Sequence, residues 1–319
     1  MEKNNNVIFF GNGLNRIQEG LDWNKLLDEI SGGKILKDIP LPFQYEDICL
    51  SDDAGDFDKG PSCSVGEDEL KQSIVDKLSI IHSNDVYEAL AKMPINDYIT
   101  TNYDKMLEKT LSGMGYELID SDSSESRYSI HRYNILKKGD DIKRIWYIHG
   151  NIDKRNSIIM GYDQYCGELS KMDDWVKGSY KIIANKPIKA IHSRFPNTAH
   201  KDTIKSWIDL FFTSNVHIIG YSMTFDEIDL WWLLDKRKRL IWEGRMTTYG
   251  TIRFYDAVLK SKKEKNDKDK CQEKENEEKR KAKYNLLDIL DVKQIIQGLN
   301  DKKEFADYYK HILAGIQNN

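Results

Sequence analysis

Short blocks of contiguous apolar residues alternate along the chain with stretches in which apolar positions return every three or four residues. Val7-Ile8-Phe9-Phe10 is the first block, and Gly11-Asn12-Gly13-Leu14-Asn15 follows it directly. An apolar run without polar alternation predicts a strand buried on both faces. Leu21, Trp23, Leu26, Leu27 and Ile30 then recur at near-helical spacing until Gly32-Gly33, where a helix should stop. The first unit therefore reads strand, glycine loop, helix.

The alternation repeats downstream. Leu70, Ile74, Leu78 and Ile81, then Val86, Leu90 and Met93, predict two helices parted near Ser83-Asn84-Asp85, with Ser83 or Asn84 able to cap the second. Further strands are expected at Asp97–Thr101, Arg144–His149, Val216–Ile219 and Thr251–Tyr255, with a weak alternation over Tyr128–Ile135. Residues 165–199 are irregular and are read as a helical insertion, and a helix over about 205–212 leads into the Val216 strand. Trp231, Trp232, Leu233 and Leu234 form an apolar block assigned to the core or to a subunit interface. Strands buried on both faces and separated by helices predict an α/β fold, a Rossmann-like parallel sheet with helices on both faces.

Composition narrows the class. The 319 residues are 39% hydrophobic and 31% charged, with 20 Gly and 6 Pro, which excludes collagenous and wholly disordered chains. Net charge is -4, from 48 Lys plus Arg against 52 Asp plus Glu, so no global field favours nucleic acid. A nucleic-acid role would rest on Lys236-Arg237-Lys238-Arg239 and on residues 260–283, where eleven basic and seven acidic side chains mix; it ranks last, and the charged run reads as a solvated loop or exposed helix. Cys49, Cys63, Cys166 and Cys271 contain no C-x-x-C pair, so neither a zinc site nor a disulfide framework is expected. No signal-peptide core or membrane span is apparent, and a reducing cytoplasm is the expected compartment. Three parts are expected: a core over 1–258 with helical insertions at about 34–95 and 165–205, a charged exposed segment over 259–283, and a helical C-terminal part over 284–319 packed on the core.

Four strand ends carry candidate chemistry. Gly11, Asn12 and Gly13 sit where backbone N–H groups can approach a phosphate at a helix N-terminus, or where a turn merely joins two elements. A dinucleotide fingerprint would want a third glycine where Arg16 stands. Thr101-Asn102-Tyr103-Asp104 should project from the carboxyl edge of the sheet, although Asn102 or Asp104 could equally cap a helix. His149, alone among seven histidines, ends a strand and is followed by glycine; it is a candidate proton acceptor unless held structurally. His217 lies inside a strand and reads as buried or hydrogen-bonded. Gly220-Tyr221-Ser222 ends a fourth strand, with Asp226 starting the next helix, so the Ser222 hydroxyl could hold a ribose or phosphate, or Ser222 or Asp226 could act as a cap.

Taken in order, Gly11-Asn12-Gly13-Leu14-Asn15, Thr101-Asn102-Tyr103-Asp104, His149-Gly150 and Gly220-Tyr221-Ser222 resemble the sirtuin superfamily over roughly residues 7–255. The family's zinc-binding cysteine pairs are absent, and Asn102 and His149 lie 47 positions apart, farther than in a typical sirtuin. The family segment Gly-Ile-Pro-Asp-Phe-Arg survives faintly as Gly20-Leu21-Asp22-Trp23. Helical insertions in place of the zinc module are similar to sirtuin-like domains of bacterial anti-phage defence proteins, which destroy NAD.

The resemblance implies an NAD glycohydrolase yielding nicotinamide and ADP-ribose, with NAD as substrate and no metal. It makes Asn102 and His149 catalytic and places the nucleotide on Gly11, Asn12, Gly13, Asn15, Asp22, Thr101, Asp104, Gly220, Ser222 and Asp226. Asp104 would accept from the nicotinamide carboxamide, the glycine loop with Asn15 would receive the pyrophosphate, and Ser222 the adenosine side. Alternatives are an NAD-dependent protein deacylase and a non-catalytic NAD or ADP-ribose sensor. Unchecked NAD loss would kill the cell that makes the enzyme, so a gate is expected: homo-oligomerisation, a partner, or a phage-derived activator.

Overall fold

The computed structural model describes residues 5–17, 22–33, 35–36, 39–50, 66–122, 127–181, 188–195, 204–247, 250–260 and 267–317. Gly20-Leu21, Cys63 and parts of both insertions and of the charged run lie outside the described residues. In chain order the elements are β1 (Asn6–Phe10), α1 (Trp23–Ile30), α2 (Leu41–Leu50), α3 (Glu67–Ser79), α4 (Asp85–Ala91), β2 (Asp97–Thr100), α5 (Met106–Gly113), β3 (Glu117–Asp122), β4 (Tyr133–Lys138) and β5 (Asp141–Tyr147). They continue with α6 (Tyr162–Lys177), α7 (Ile191–Arg194), α8 (Trp207–Thr213), β6 (Asn215–Ile219), α9 (Ile228–Trp242), β7 (Ile252–Leu259), α10 (Asp267–Ile289), β8 (Val292–Leu299) and α11 (Phe305–Gln317).

The eight strands form one sheet in the order β3-β4-β5-β2-β1-β6-β7-β8. From β5 to β8 every pairing is parallel. Successive residues of the central strands enter opposite cores: Phe9, Ile99, Trp146 and Ile218 pack on one face, and Ile8, Phe10, Tyr98, Ile145 and Ile219 on the other. This two-sided burial is why the apolar runs lack polar alternation. Each large side chain so buried contributes roughly 1.5–3 kcal/mol.

Two expectations are corrected. The sheet is mixed, because β3 and β4 run antiparallel. Lys138 pairs with Asp141 across a two-residue turn in which Gly139 has φ +58°, and so tight a connection can only join antiparallel strands. The C-terminal part is not wholly helical either. Helix α10 runs across residues 283 and 284 and delivers β8 parallel to β7, so residues 267–283 of the charged run belong to the crossover helix of a βαβ unit.

Other sequence features find their structural reasons. Asn84 caps α4 through bonds from the Val86 and Tyr87 amides, and its own amide donates to the Leu14 carbonyl at 2.9 Å. Of the basic run on α9, Arg237 donates to the Phe211 and Gly250 carbonyls, Lys238 pairs with Asp291 and Arg239 with Asp235. Those side chains are engaged within the fold. His217 bonds the Tyr255 hydroxyl at 3.0 Å, and burial pushes its pKa down to about 4. Among the described residues no helix is long and apolar enough to cross a membrane.

Candidate active site

Parallel pairing brings the four motifs to one edge. Phe10 is level with Thr100 and Ile219, and Thr100 with Tyr147, so Gly11, Thr101, Gly220 and the His149 turn all leave the sheet together. The chain visits β2 on one side of β1 and later β6 on the other, the switch of direction at which open α/β sheets form ligand crevices. A cavity of about 1110 Å³ opens there, slightly above the usual ~300–1,000 Å³ of ligand pockets. Asn12, Gly13, Asp22, Thr101, His149, Gly220, Ser222 and Asp226 line it. Gly11, Asn15, Asn102 and Asp104 are not among its lining residues.

The glycines of the first and last motifs pack against each other. The Gly13 amide donates to the Gly220 carbonyl at 2.7 Å and the Gly11 amide to the Ile219 carbonyl at 3.2 Å. A Cβ on Gly13 would lie 2.6 Å from that Gly220 oxygen. These two N–H groups are therefore spent inside the protein, contrary to the expectation that the glycine amides face a pyrophosphate. A 3-10 turn over Asn12–Ile17 follows, not an α-helix. Asp22 caps α1 through the Asn24 and Lys25 amides and pairs with Arg16 at 3.2 Å. Asp226 precedes α9 without capping it, because the position before that helix is Glu227. The Ser222 carbonyl accepts from Lys283 Nζ at 3.0 Å.

His149 is placed by a tight turn. Gly150 has φ +91°, and a Cβ there would meet the Ser157 carbonyl oxygen at 2.1 Å, so only glycine fits behind the histidine. His149 Nε2 lies 2.8 Å from Oδ2 of Asp229, which is fully buried in the first turn of α9. The Tyr165 ring stands edge-on to the imidazole at 5.3 Å, and its hydroxyl donates to Glu227 Oε2 at 3.1 Å. Burial works to lower the His149 pKa, but Asp229, Glu227 and Glu168 together overcome it and hold the ring above its ordinary value. Burial raises Glu227. With Nε2 engaged by Asp229, Nδ1 has no hydrogen-bond partner among the described residues and is the nitrogen left to take a proton. His149, Glu227 and Asp229 are also the set among the described residues whose ligating atoms lie close enough together, within 4.8 Å, to hold a metal ion.

Asn102 and Asp104 are placed one layer behind the cavity. Both oxygens of Asp104 are occupied, Oδ1 by the Met106 amide at 3.0 Å and Oδ2 by Asn15 Nδ2 at 2.7 Å, which is not the open placement expected for a carboxamide acceptor. Burial raises its pKa, opposed by those two hydrogen bonds. Asn102 is 1% exposed; its Nδ2 donates to the Tyr87 hydroxyl at 3.3 Å, and its Oδ1 has no partner among the described residues.

A family model described as a SIR2-like domain matches residues 96–286, more than half of the chain. The chain belongs to the SIR2-like family. Among curated proteins, it is similar to the NAD(+) hydrolase ThsA of Cytobacillus dafuensis (27% identity, 52% of this chain and 30% of the relative), to that of Bacillus cereus strain MSX-D12 (25%, 57% and 35%), and to that of Enterococcus faecium (25%, 75% and 42%). The SIR2-like chain thus spans between 30% and 42% of the length of these relatives.

Several residues of this candidate site escaped the sequence. Asp229 and Glu227 lie in an acidic stretch, Asp226 to Asp229, that reads as ordinary helix-start chemistry. Tyr87 comes from an insertion helix. Lys302, Lys303, Phe305 and Tyr309, from the C-terminal part, wall the cavity beyond Gly13. Only the acidic stretch after Gly220-Tyr221-Ser222 carried a local signal.

Proposed function

We propose that the chain cleaves NAD to nicotinamide and ADP-ribose. The observation that carries this reading is an imidazole held by a buried carboxylate on the wall of a switch-point cavity, with Nδ1 left to accept a proton. Breaking the bond between C1′ of the ribose and the nicotinamide nitrogen returns the electron pair to the ring and leaves positive charge on the sugar, as in glycoside hydrolysis. Water then bonds to C1′ and gives up a proton, which His149 takes and passes to solvent. Asp229 and Glu227 favour the imidazolium that forms. A water or sugar hydroxyl that reaches Asn102 Oδ1 supplies that atom with the hydrogen bond it lacks in the free protein. No step needs a metal.

The names of the relatives support this reading, as does the ordered set of motifs. The proposed setting is NAD depletion in the cytoplasm during anti-phage defence, gated by self-association, a partner or a phage-derived trigger. The proposed catalytic unit is residues 1–258, with Lys302, Lys303 and α11 completing the cavity wall.

Purified protein incubated with NAD, with and without an acyl-lysine peptide, should release nicotinamide and ADP-ribose in equal amounts and without the peptide. Asn102→Ala and His149→Ala should each abolish most of this release while retaining the fold by circular dichroism. Turnover that requires the acyl peptide would mean deacylation, and tight NAD binding without cleavage under activating conditions would mean a sensor.

A further inference from the structure

The polar group behind the cavity has a direction, and its starting point is Asp104. Both carboxylate oxygens accept from N–H donors, Met106 and Asn15; burial raises the Asp104 pKa, and these two bonds oppose it by favouring the ionised form, which can only accept. The Asn15 amide nitrogen must therefore point at Asp104, and it also donates to Asn12 Oδ1 at 3.0 Å. The Asn15 oxygen then faces the other way, where the Tyr87 hydroxyl donates to it at 2.7 Å. With its one proton spent, the Tyr87 oxygen can only accept, and it does so from Asn102 Nδ2. The last atom in the series is Asn102 Oδ1, buried and without a partner among the described residues.

Tyr87 is itself held in place. It lies in the first turn of α4, capped by Asn84, whose amide ties the helix to the 3-10 turn that carries Asn15. Its ring stands edge-on to Phe10 at 6.1 Å. A side-chain amide without such a partner has two nearly equal orientations.

We propose that Tyr87 is a positioning residue which, with Asn15 and Asp104, fixes the Asn102 amide so that its oxygen, not its NH2, is the atom left to accept from an O–H donor that reaches it from the cavity. This rests on the NAD-cleavage reading for the identity of that donor, a water or a ribose hydroxyl, but the orientation itself does not.

The test pairs kinetics with a measurement that needs no activity. In protein labelled with 15N at asparagine side chains, the Asn102 amide signal is assigned by its loss in Asn102→Ala. Tyr87→Phe keeps the ring and removes the hydroxyl. It should speed hydrogen exchange of the Asn102 amide by about tenfold or more, the scale of one lost hydrogen bond. It should also lower kcat by about ten- to a hundredfold with KM for NAD within about twofold. The Tyr87→Phe/Asn102→Ala double variant should be no slower than Asn102→Ala, and Asp104→Asn, which turns an acceptor into a donor, should disturb the same amide signal. Unchanged exchange in Tyr87→Phe, or losses that multiply in the double variant, would overturn the proposal. If the wild type releases no nicotinamide, the NAD reading fails on its own, and amide exchange still decides the orientation.

Discussion

Replacing Asp229 by Asn probes the proposed chemistry most directly. The two side chains are isosteric, so packing is preserved while the charge facing His149 is removed. Two unit charges 2.8 Å apart attract by about 6 kcal/mol at an effective dielectric near 20. This is an upper bound, because burial works against the imidazolium more than any other single influence. The expected loss lies below it, at about 10²- to 10⁴-fold in kcat/KM, or about 2.7–5.4 kcal/mol. The pH dependence gives the sign. In the wild type the His149 pKa is raised, so kcat/KM should climb through a midpoint above the ordinary value of about 6.5 as the ring loses its proton. In Asp229→Asn burial outweighs what remains, and that midpoint should move down. Stability has the opposite sense: the raised pKa contributes stability below about pH 6.5 that is lost as pH rises through the folded-state value. Melting temperature should therefore fall over that window in the wild type and less so in the variant. Nicotinamide release measured from about pH 5 to 9 checks the prediction, and superimposable profiles with less than about a threefold loss would refute a working His149–Asp229 pair.

Three further outcomes follow from the geometry. Gly150→Ala places a Cβ against the Ser157 carbonyl and should destabilise the fold well beyond the about 1–2 kcal/mol of a left-handed alanine, whereas Gly244→Ala, at φ +68° with nothing within 4 Å, should cost only that amount; equal changes in thermal unfolding would contradict the assigned strain. Asn84→Ala removes the α4 cap and the tie to Leu14 and should lower stability by about 1–2 kcal/mol in denaturant titration, with a larger kinetic effect because Tyr87 follows it. Replacing Lys302 and Lys303 by alanine should raise KM for NAD with kcat unchanged, and more so at low salt, the signature of lost uniform binding to a phosphate; an unchanged KM would remove the C-terminal wall from the binding site.

What the sequence discloses is whatever short-range physics decides. Val7–Phe10 announces a doubly covered strand because both faces must be apolar, and the glycines at 11, 13, 150 and 220 mark strand ends where a side chain has no room. Asn84 reads as a cap because its chemistry is local. Strand β8 is poorly visible, since Lys293–Gly298 is mostly exposed at the sheet edge and its pairing depends on β7, a partner brought by a 23-residue helix. The antiparallel start of the sheet turns on the single Gly139-Asp140 turn. Burial of Asn102 and Asp104 could not be read either: the strand end fixes where their backbone leaves the sheet, but Tyr87 and Asn15, 15 and 87 positions away from Asn102, decide which way their side chains are held. Asp229 escaped for the same reason, lying 80 positions from the histidine it bonds.

The outlying parts of the chain also give the cavity its polarity. His149 leaves β5, while Lys302 and Lys303 follow β8, five strands along the sheet; at ~4.8 Å per strand this is about 24 Å of lateral reach. Near the histidine stand Asp229 and Glu227, brought by the start of α9. At the opposite side, Arg16 is paired with Asp22 and Asp256 with Lys283, while Lys302 and Lys303 have no ion-pair partner among the described residues. A ligand spanning the cavity therefore meets carboxylates at one end and uncompensated ammonium groups at the other. The proposed substrate has the complementary distribution, a cationic nicotinamide riboside joined to an anionic pyrophosphate. Bound with its glycosidic bond beside His149, it places the charge that grows on the sugar next to the carboxylates and leaves the phosphates toward the lysines. The reverse orientation would oppose like charges at both ends, so on the proposed function the field should favour one direction of binding before any hydrogen bond forms.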